Sequence, residues 1–309
     1  MNSPLVSVII PNYNHAPYLP ERIESVLHQT YHNFEVIILD DCSTDNSREV
    51  IEKYRNDCHV SQIVFNEQNC GSPFIQWNKG FELAKGEWIW IAESDDSCEP
   101  NFLEALIGQI RDSSSFVFCR SQRINKYGEP ITDHWQDELK GSFTMDGRQF
   151  IDKYLIWRCI VWNASSVMFR KEFACQIPPV YKDFRAAGDW LFWVCLSWLG
   201  NVSFIDSPLN YFRLHDTNTT QNSFKNGVAK EERIKIYNFL ISEGYISRQN
   251  YSMIRKIDAY SIYEDSNLSK ETVNKLLDSW NITIIEHCYF WSKKMYKRII
   301  SILSPSLMQ

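Results

Sequence analysis

The stretch WIWIAESDDSCEP, residues 88–100, decides how the chain is read. A short apolar run gives way to three carboxylates, Glu93, Asp95 and Asp96. Such a run, bounded by polar residues, fits a strand buried on both faces, which is the strand type of a parallel sheet covered by helices. Three acids within four residues repel one another and raise each other's pKa unless a cation shares the site. The segment therefore predicts a buried strand that ends at a polar site.

The same form recurs upstream in LVSVIIP (5–11), FEVIILDD (34–41) and SQIVFNE (61–67), with GEWIWIAE (86–93) as the fourth copy. Between them YLPERIESVLHQT (18–30), STDNSREVIEKYR (43–55) and SPFIQWNKGFELAKG (72–86) carry a helical period. This alternation predicts an α/β fold with a Rossmann-like, mostly parallel central sheet flanked by helices, and it gathers the carboxyl ends of the strands on one edge. Further on the alternation is less regular. A helix is expected over 101–110, strands over 115–124 and 164–170, and a helix over 186–200, with a polar stretch holding Gly128, Pro130 and Gly141. From about residue 225 the pattern is helical, so a catalytic domain over 1–224 and a helical C-terminal region over 225–309 are expected.

Composition narrows the function. A content of 44% hydrophobic and 23% charged residues describes a soluble globular chain, and a net charge of -6 without a basic stripe argues against nucleic acid as a partner. Nine cysteines without a CxxC pair make no zinc ribbon or thioredoxin-like motif. The opening MNSPLVSVIIPNYN lacks a signal-peptide pattern, so a cytoplasmic location with free thiols is expected. The end, YFWSKKMYKRIISILSPSLMQ, sets aromatics before Lys293, Lys294, Lys297 and Arg298 and then an apolar run. Its two readings are a core-packing helix and a peripheral contact with the inner face of the plasma membrane.

In an open parallel sheet, ligands bind outside the carboxyl ends of the strands. There the chain places Pro11, Asn12, Tyr13 and Asn14, then Asp40 and Asp41, then Asn69, Cys70 and Gly71, then the three acids. Asn12 and Asn14 also suit turns, and Asp40 and Asp41 could cap a helix, although Ser43, Thr44 and Asp45 suffice for that. Oxygen ligands suit Mg²⁺ or Mn²⁺, and Mg²⁺ fills its remaining positions with water and substrate phosphates. Neither GxGxxG nor GxxxxGK[ST] occurs. A nucleoside diphosphate bridged to carboxylates through a metal remains, with Asn12, Tyr13, Asp40 and Asp41 near the base and ribose.

VSVIIPNYNHAPYLPERIESVLHQTYHNFEVIILDDCSTDNS (6–47) and NCGSPFIQWNKGFELAKGEWIWIAESDD (69–96) resemble the family 2 glycosyltransferases, enzymes of the GT-A fold that transfer sugar from a nucleotide donor with inversion. AAGDWLFWVCLSWLG (186–200) is similar to the segment where that family carries Glu-Asp followed by Trp, which implies Asp189 as general base. YFRLHDTNTT (211–220) resembles its Arg-x-His element, which implies Arg213 at the donor phosphates and His215 at phosphate or metal.

By the same resemblance Asp96 and Asp95 are the candidate metal ligands, with Glu93 a further one. Pro11, Asn12, Tyr13, Asn14, Asp40, Asp41, Asn69, Gly71, Asp95 and Arg213 would hold the nucleotide. The implied donor is a UDP-sugar, and the implied acceptor a surface glycan or lipid-linked saccharide. Two residues depart from the pattern: Glu93 replaces an aspartate and Gly188 a glutamate. A sugar nucleotidyltransferase would need a glycine-rich, basic loop that PNYNHAPYL lacks, and a degenerate fold would act as a glycan-binding module. Trp88, Trp90, Trp190 and Trp193 lie in apolar segments and read as core, whereas Trp135, Trp157 and Trp162 are candidate acceptor contacts.

Overall fold

The computed structural model describes residues 3–132, 137–215 and 228–303, without the side chains of 294–303. Trp135 and the side chains of Lys294, Lys297 and Arg298 lie outside what is described. The chain separates into two compact units, Met1–Asn218 and Thr219–Gln309.

The first unit is built on one sheet. Its strands among the described residues are β1 (Val6–Asn12), β2 (Phe34–Asp40), β3 (Val60–Phe65), β4 (Trp88–Ile91), β5 (Ser97–Cys98), β6 (Ser114–Asn125), β7 (Phe143–Met145), β8 (Val167–Arg170) and β9 (Asn201–Leu214). They lie in the order β3-β2-β1-β4-β8-β6-β9-β5, with β7 beside β9. The pairs β1–β2, β1–β4, β2–β3 and β6–β9 are parallel. Shorter antiparallel pairings join β8 to β4 and β6, and β5 and β7 to β9.

Helices α1 (Leu19–Leu27), α2 (Ser47–Glu52), α3 (Pro73–Leu83), α4 (Phe102–Gly108), α5 (Gly147–Phe150), α6 (Lys171–Ala174) and α7 (Gly188–Trp198) accompany the sheet. Every residue of β1 and β2 is buried, as an apolar strand covered on both faces must be. Val6, Val8 and Ile10 join Leu19, Ile23 and Val26 of α1 and Phe102, Leu103 and Leu106 of α4 in one core. Each such side chain removed from water is worth about 1.5–3 kcal/mol. Ile9, pointing the other way, meets α3, where a Cβ on Gly80 would stand 2.6 Å from Ile9 Cγ2. That face continues through an aromatic cluster in which Trp77 lies 5.9 Å from Phe192 and Phe81 lies 5.6 Å from Phe169.

Two elements differ from the sequence-based expectation. The helix expected over 43–55 is confined to Ser47–Glu52, because the amides ahead of it bond to side chains instead. Asp40 Oδ2 accepts from the Ser43 amide at 3.1 Å, and Asn14 Oδ1 accepts from the Thr44 amide at 2.7 Å. β9, for which the alternation gave no separate expectation, runs over 14 residues from Asn201 to Leu214. Pro208, which has no amide to donate, sits opposite Arg120 where the β6–β9 register shifts, so one strand reads as two fragments.

The second unit holds helices Val228–Ser242, Arg248–Glu264, Lys270–Ser279 and Ile284–Leu303. Ile234, Tyr237, Leu240, Ile262, Leu276 and Trp280 are buried, and the Trp280 indole donates to Asp258 at 2.9 Å. No helix among the described residues is long and apolar enough to cross a membrane.

Candidate functional site

β1 and β2 end together, with Asn12 opposite Asp40, and β4 ends beside them with Ile91 opposite Ile9. The parallel register thus delivers Asn12, Asp40, Asp41 and the turn Glu93–Asp96 to one edge. β9 then brings in the far end of the unit. Pairing of Tyr211 with Ser97 runs β9 antiparallel to β5 and carries Arg213 and His215 alongside Asp95 and Asp96.

The acids divide by what they touch. Asp96 is turned inward: Oδ2 accepts from Asn163 Nδ2 at 2.8 Å and Ser165 Oγ at 2.6 Å, and Oδ1 accepts from the Arg213 amide at 2.9 Å. Arg22, fully buried on α1, stands 3.9 Å from Asp96 and donates Nε to the Glu93 carbonyl at 2.9 Å. Glu93 Oε1 accepts from the Trp77 indole at 2.9 Å. Asp95 alone of the three opens toward histidines, with His215 Nε2 2.9 Å from its Oδ2. Burial, then the Asp95 charge, push Glu93 up to about 8 and Asp96 up to about 6. Burial alone would raise Asp95 as well, but the His215 hydrogen bond and the nearby His15 outweigh it and hold Asp95 below the usual aspartate range.

His15 is the member that sequence reading missed. One donor atom from each of His15, Asp95 and His215 lies within 4.8 Å of the other two. A single cation with bonds of about 2.2 Å spans such a set after a small inward shift, so these donors fit a divalent metal. Burial lowers the His15 pKa, against the pull of Asp95, and favours the neutral imidazole that ligation requires. Its only sequence signal was position, three residues beyond the end of β1 in PNYNHAPYL. Tyr18 stacks on His215 at 5.1 Å, and the Arg213 guanidinium lies 5.1 Å from the Tyr18 ring.

The expected nucleotide residues occupy the same edge in different ways. Pro11 is a buried strand residue. Asn12 Nδ2 donates to Asp40 Oδ1 at 2.9 Å, and Asp40 is itself fully buried. Asp41 accepts from Asn66 Nδ2 and Gln76 Nε2, each at 2.7 Å, and from the Cys70 amide. Asn14 takes a left-handed turn at φ 57°, as its turn reading expects, and Asn69 bonds Gly71, itself at φ 73°. These groups lock the loops to one another, while Tyr13, Asn69 and Gly71 are exposed at the rim. Two buried acceptors there, Asn12 Oδ1 and Gln76 Oε1, have no hydrogen-bond donor among the described residues. Arg213 Nε and Nη2 bond the Asp95 carbonyl and Glu21, so this guanidinium braces the Asp95 turn.

Asp189 stands in the first turn of α7, where its Oδ1 accepts from the Trp190 amide at 2.8 Å. The body of α7 packs on Trp77, the residue that holds Glu93. Gly188 has a steric reason, since a Cβ there would meet the Tyr181 carbonyl oxygen at 2.4 Å and Phe74 Cε2 at 2.6 Å. Of the candidate acceptor tryptophans, Trp157 is exposed and Trp162 lies under Arg158 at 5.2 Å.

Residues 7–172 match the family model described as glycosyl transferase family 2. Over 129 residues the chain is 34% identical to the putative teichuronic acid biosynthesis glycosyltransferase TuaG of Bacillus subtilis, covering 41% of this chain and 51% of that protein. The chain thus spans about half the length of this curated relative. Among solved structures, S. aureus TarS 1-349 in complex with UDP-GlcNAc superposes with a TM-score of 0.57 at 20% identity, over 89% of this chain and 71% of that one. The mannosyltransferase PcManGT from Pyrobaculum calidifontis, in complex with GDP-Man and Mn²⁺, gives 0.58 at 14% identity, over 99% and 82%. At these identities the likeness to the solved structures is one of fold, and it is the GT-A arrangement. With the family model matched over more than half of its length, the chain belongs to glycosyl transferase family 2.

Proposed function

We propose that this protein is a glycosyltransferase that moves a sugar from a nucleoside diphosphate donor, UDP-linked, onto a hydroxyl of a saccharide or lipid-linked saccharide, with inversion and with a divalent cation. The observation that carries this reading is the convergence of His15, Asp95 and His215 at the carboxyl edge of the sheet. Several features support the donor. The orphaned acceptors Asn12 Oδ1 and Gln76 Oε1 suit the N–H groups of a base, because an unmet buried acceptor costs about 1–3 kcal/mol. Solved proteins of the same fold carry UDP-GlcNAc, or GDP-Man with Mn²⁺. The name of TuaG supports a role in polysaccharide biosynthesis.

In this reading the acceptor oxygen attacks the anomeric carbon while the bond to the diphosphate breaks on the opposite face, and the bond's electron pair leaves with the diphosphate. Asp189 takes the acceptor proton. A bound divalent cation supplies positive charge where the diphosphate departs. Asp95 and His215 would hold that cation, whereas Asp96, Asn163, Ser165 and Arg213 keep the turn in place. The C-terminal helix touches an anionic lipid surface on the cytoplasmic side, a placement supported by exposed Ile284, Ile285 and Trp291 near Lys293.

The test is a panel of nucleotide sugars with Mn²⁺ and purified protein. UDP-sugars are expected to bind and to release sugar. Asp189→Asn should lower transfer by about 10²–10⁴-fold with nucleotide affinity unchanged. The reading fails if no nucleoside diphosphate binds and no sugar is released.

A further inference from the structure

His15 is held more firmly than a surface loop residue would be. Its carbonyl accepts from the amides of Tyr18 and Leu19 at 2.9 and 3.0 Å, which closes the turn into α1. On either side Asn14 clasps Thr44, and the Ala16 amide bonds Asp45 Oδ2 at 3.0 Å. The ring is fixed as well: Nδ1 lies 2.9 Å from Ser94 Oγ, and the imidazole meets that of His215 edge-on at 5.4 Å. A hydrogen bond to one ring nitrogen sets the tautomer and orientation of a ligating histidine, and here it leaves Nε2 as the nitrogen for a cation.

We propose that His15 is a third protein ligand to the divalent cation, giving this chain a site of two imidazoles and one carboxylate that favours transition-series ions over Mg²⁺. The inference rests on the metal-assisted reading above and adds a ligand and an ion preference to it. Mg²⁺ is hard, takes oxygen donors and dehydrates reluctantly, so two nitrogen ligands suit it poorly. First-row divalent ions accept imidazole, with affinity rising from Mn²⁺ through Co²⁺. Three protein donors still leave coordination positions for diphosphate oxygens and water. Because His15, Asp95 and His215 come from the ends of β1, β4 and β9, the ion would tie three distant chain segments together.

The experiment uses the full chain with Mn²⁺ alone, read by electron paramagnetic resonance and its ¹⁴N spin-echo couplings, with Mg²⁺ as competitor. Two directly bound imidazole nitrogens are expected in the unmodified protein and one in His15→Ala. That variant should bind Mn²⁺ at least about tenfold more weakly and lose part of its preference over Mg²⁺. His15→Gln, which keeps a partner for Ser94, should behave alike and guards against a folding defect in the alanine variant. The inference is overturned if both variants keep the two-nitrogen signal and bind Mn²⁺ within twofold of the unmodified protein. If the unmodified protein and the variants all fail to bind Mn²⁺ even with UDP present, the metal-assisted reading itself falls, and this inference falls with it.

Discussion

Glu93 carries one methylene more than the aspartate of the family pattern, and Trp77 uses the extra reach by donating its indole N–H at 2.9 Å. The carboxyl is buried beside the Asp95 charge, which pushes its pKa from 4.5 up to about 8. Between those values the folded protein keeps a proton that the unfolded chain has released. The contribution of Glu93 to folding stability without metal is therefore lost as pH rises from about 4.5 to 8. Glu93→Gln, which stays neutral, should flatten that decline. Melting temperatures in chelator from pH 5 to 8 decide the matter, and an unchanged slope would place the titration elsewhere. At this scale the acids were legible in the sequence as a cluster, but their division of labour was not. Asp96 is set apart from Asp95 by its hydrogen bonds to Asn163, Ser165 and the Arg213 amide, residues about 70 and 120 positions away that no local pattern connects to it.

Helix α7 shows how packing sets the chemistry an element can carry. The position before Asp189 lacks the family's second acid because α7 starts against Phe74 and the Tyr181 carbonyl. Gly188→Glu would restore the pattern but force a Cβ to 2.4 Å from that carbonyl oxygen. A loss of about 1–3 kcal/mol in chemical denaturation is expected, with no gain in transfer. An unchanged denaturation midpoint would mean that the start of α7 relaxes freely. The parallel strands β1, β2 and β4 were readable as continuous apolar runs, since burial on both faces leaves no alternation to misread. β9 was not, because Pro208 interrupts its pattern and its burial changes along its length.

For the whole molecule, the two compact units let the proposed chemistry and the proposed lipid contact be tested separately. We expect a fragment of residues 1–218 to melt cooperatively and to keep Mn²⁺ and UDP binding, since every residue placed at the site lies within it. The full chain is expected to co-sediment with anionic vesicles, and the fragment to lose that co-sedimentation. Failure of the full chain to sediment would remove the lipid contact, and failure of the fragment to bind Mn²⁺ would show that the site needs the helical unit. The sequence by itself determined that apolar strands alternate with helices and end in carboxylates, because strand burial and helix period are local properties carried by neighbouring residues. Only the tertiary structure decided that His15 joins Asp95 and His215 while Asp96 faces inward. That choice depends on the register of β1 against β4 and of β9 against β5, which brings residues far apart in the chain within bonding distance.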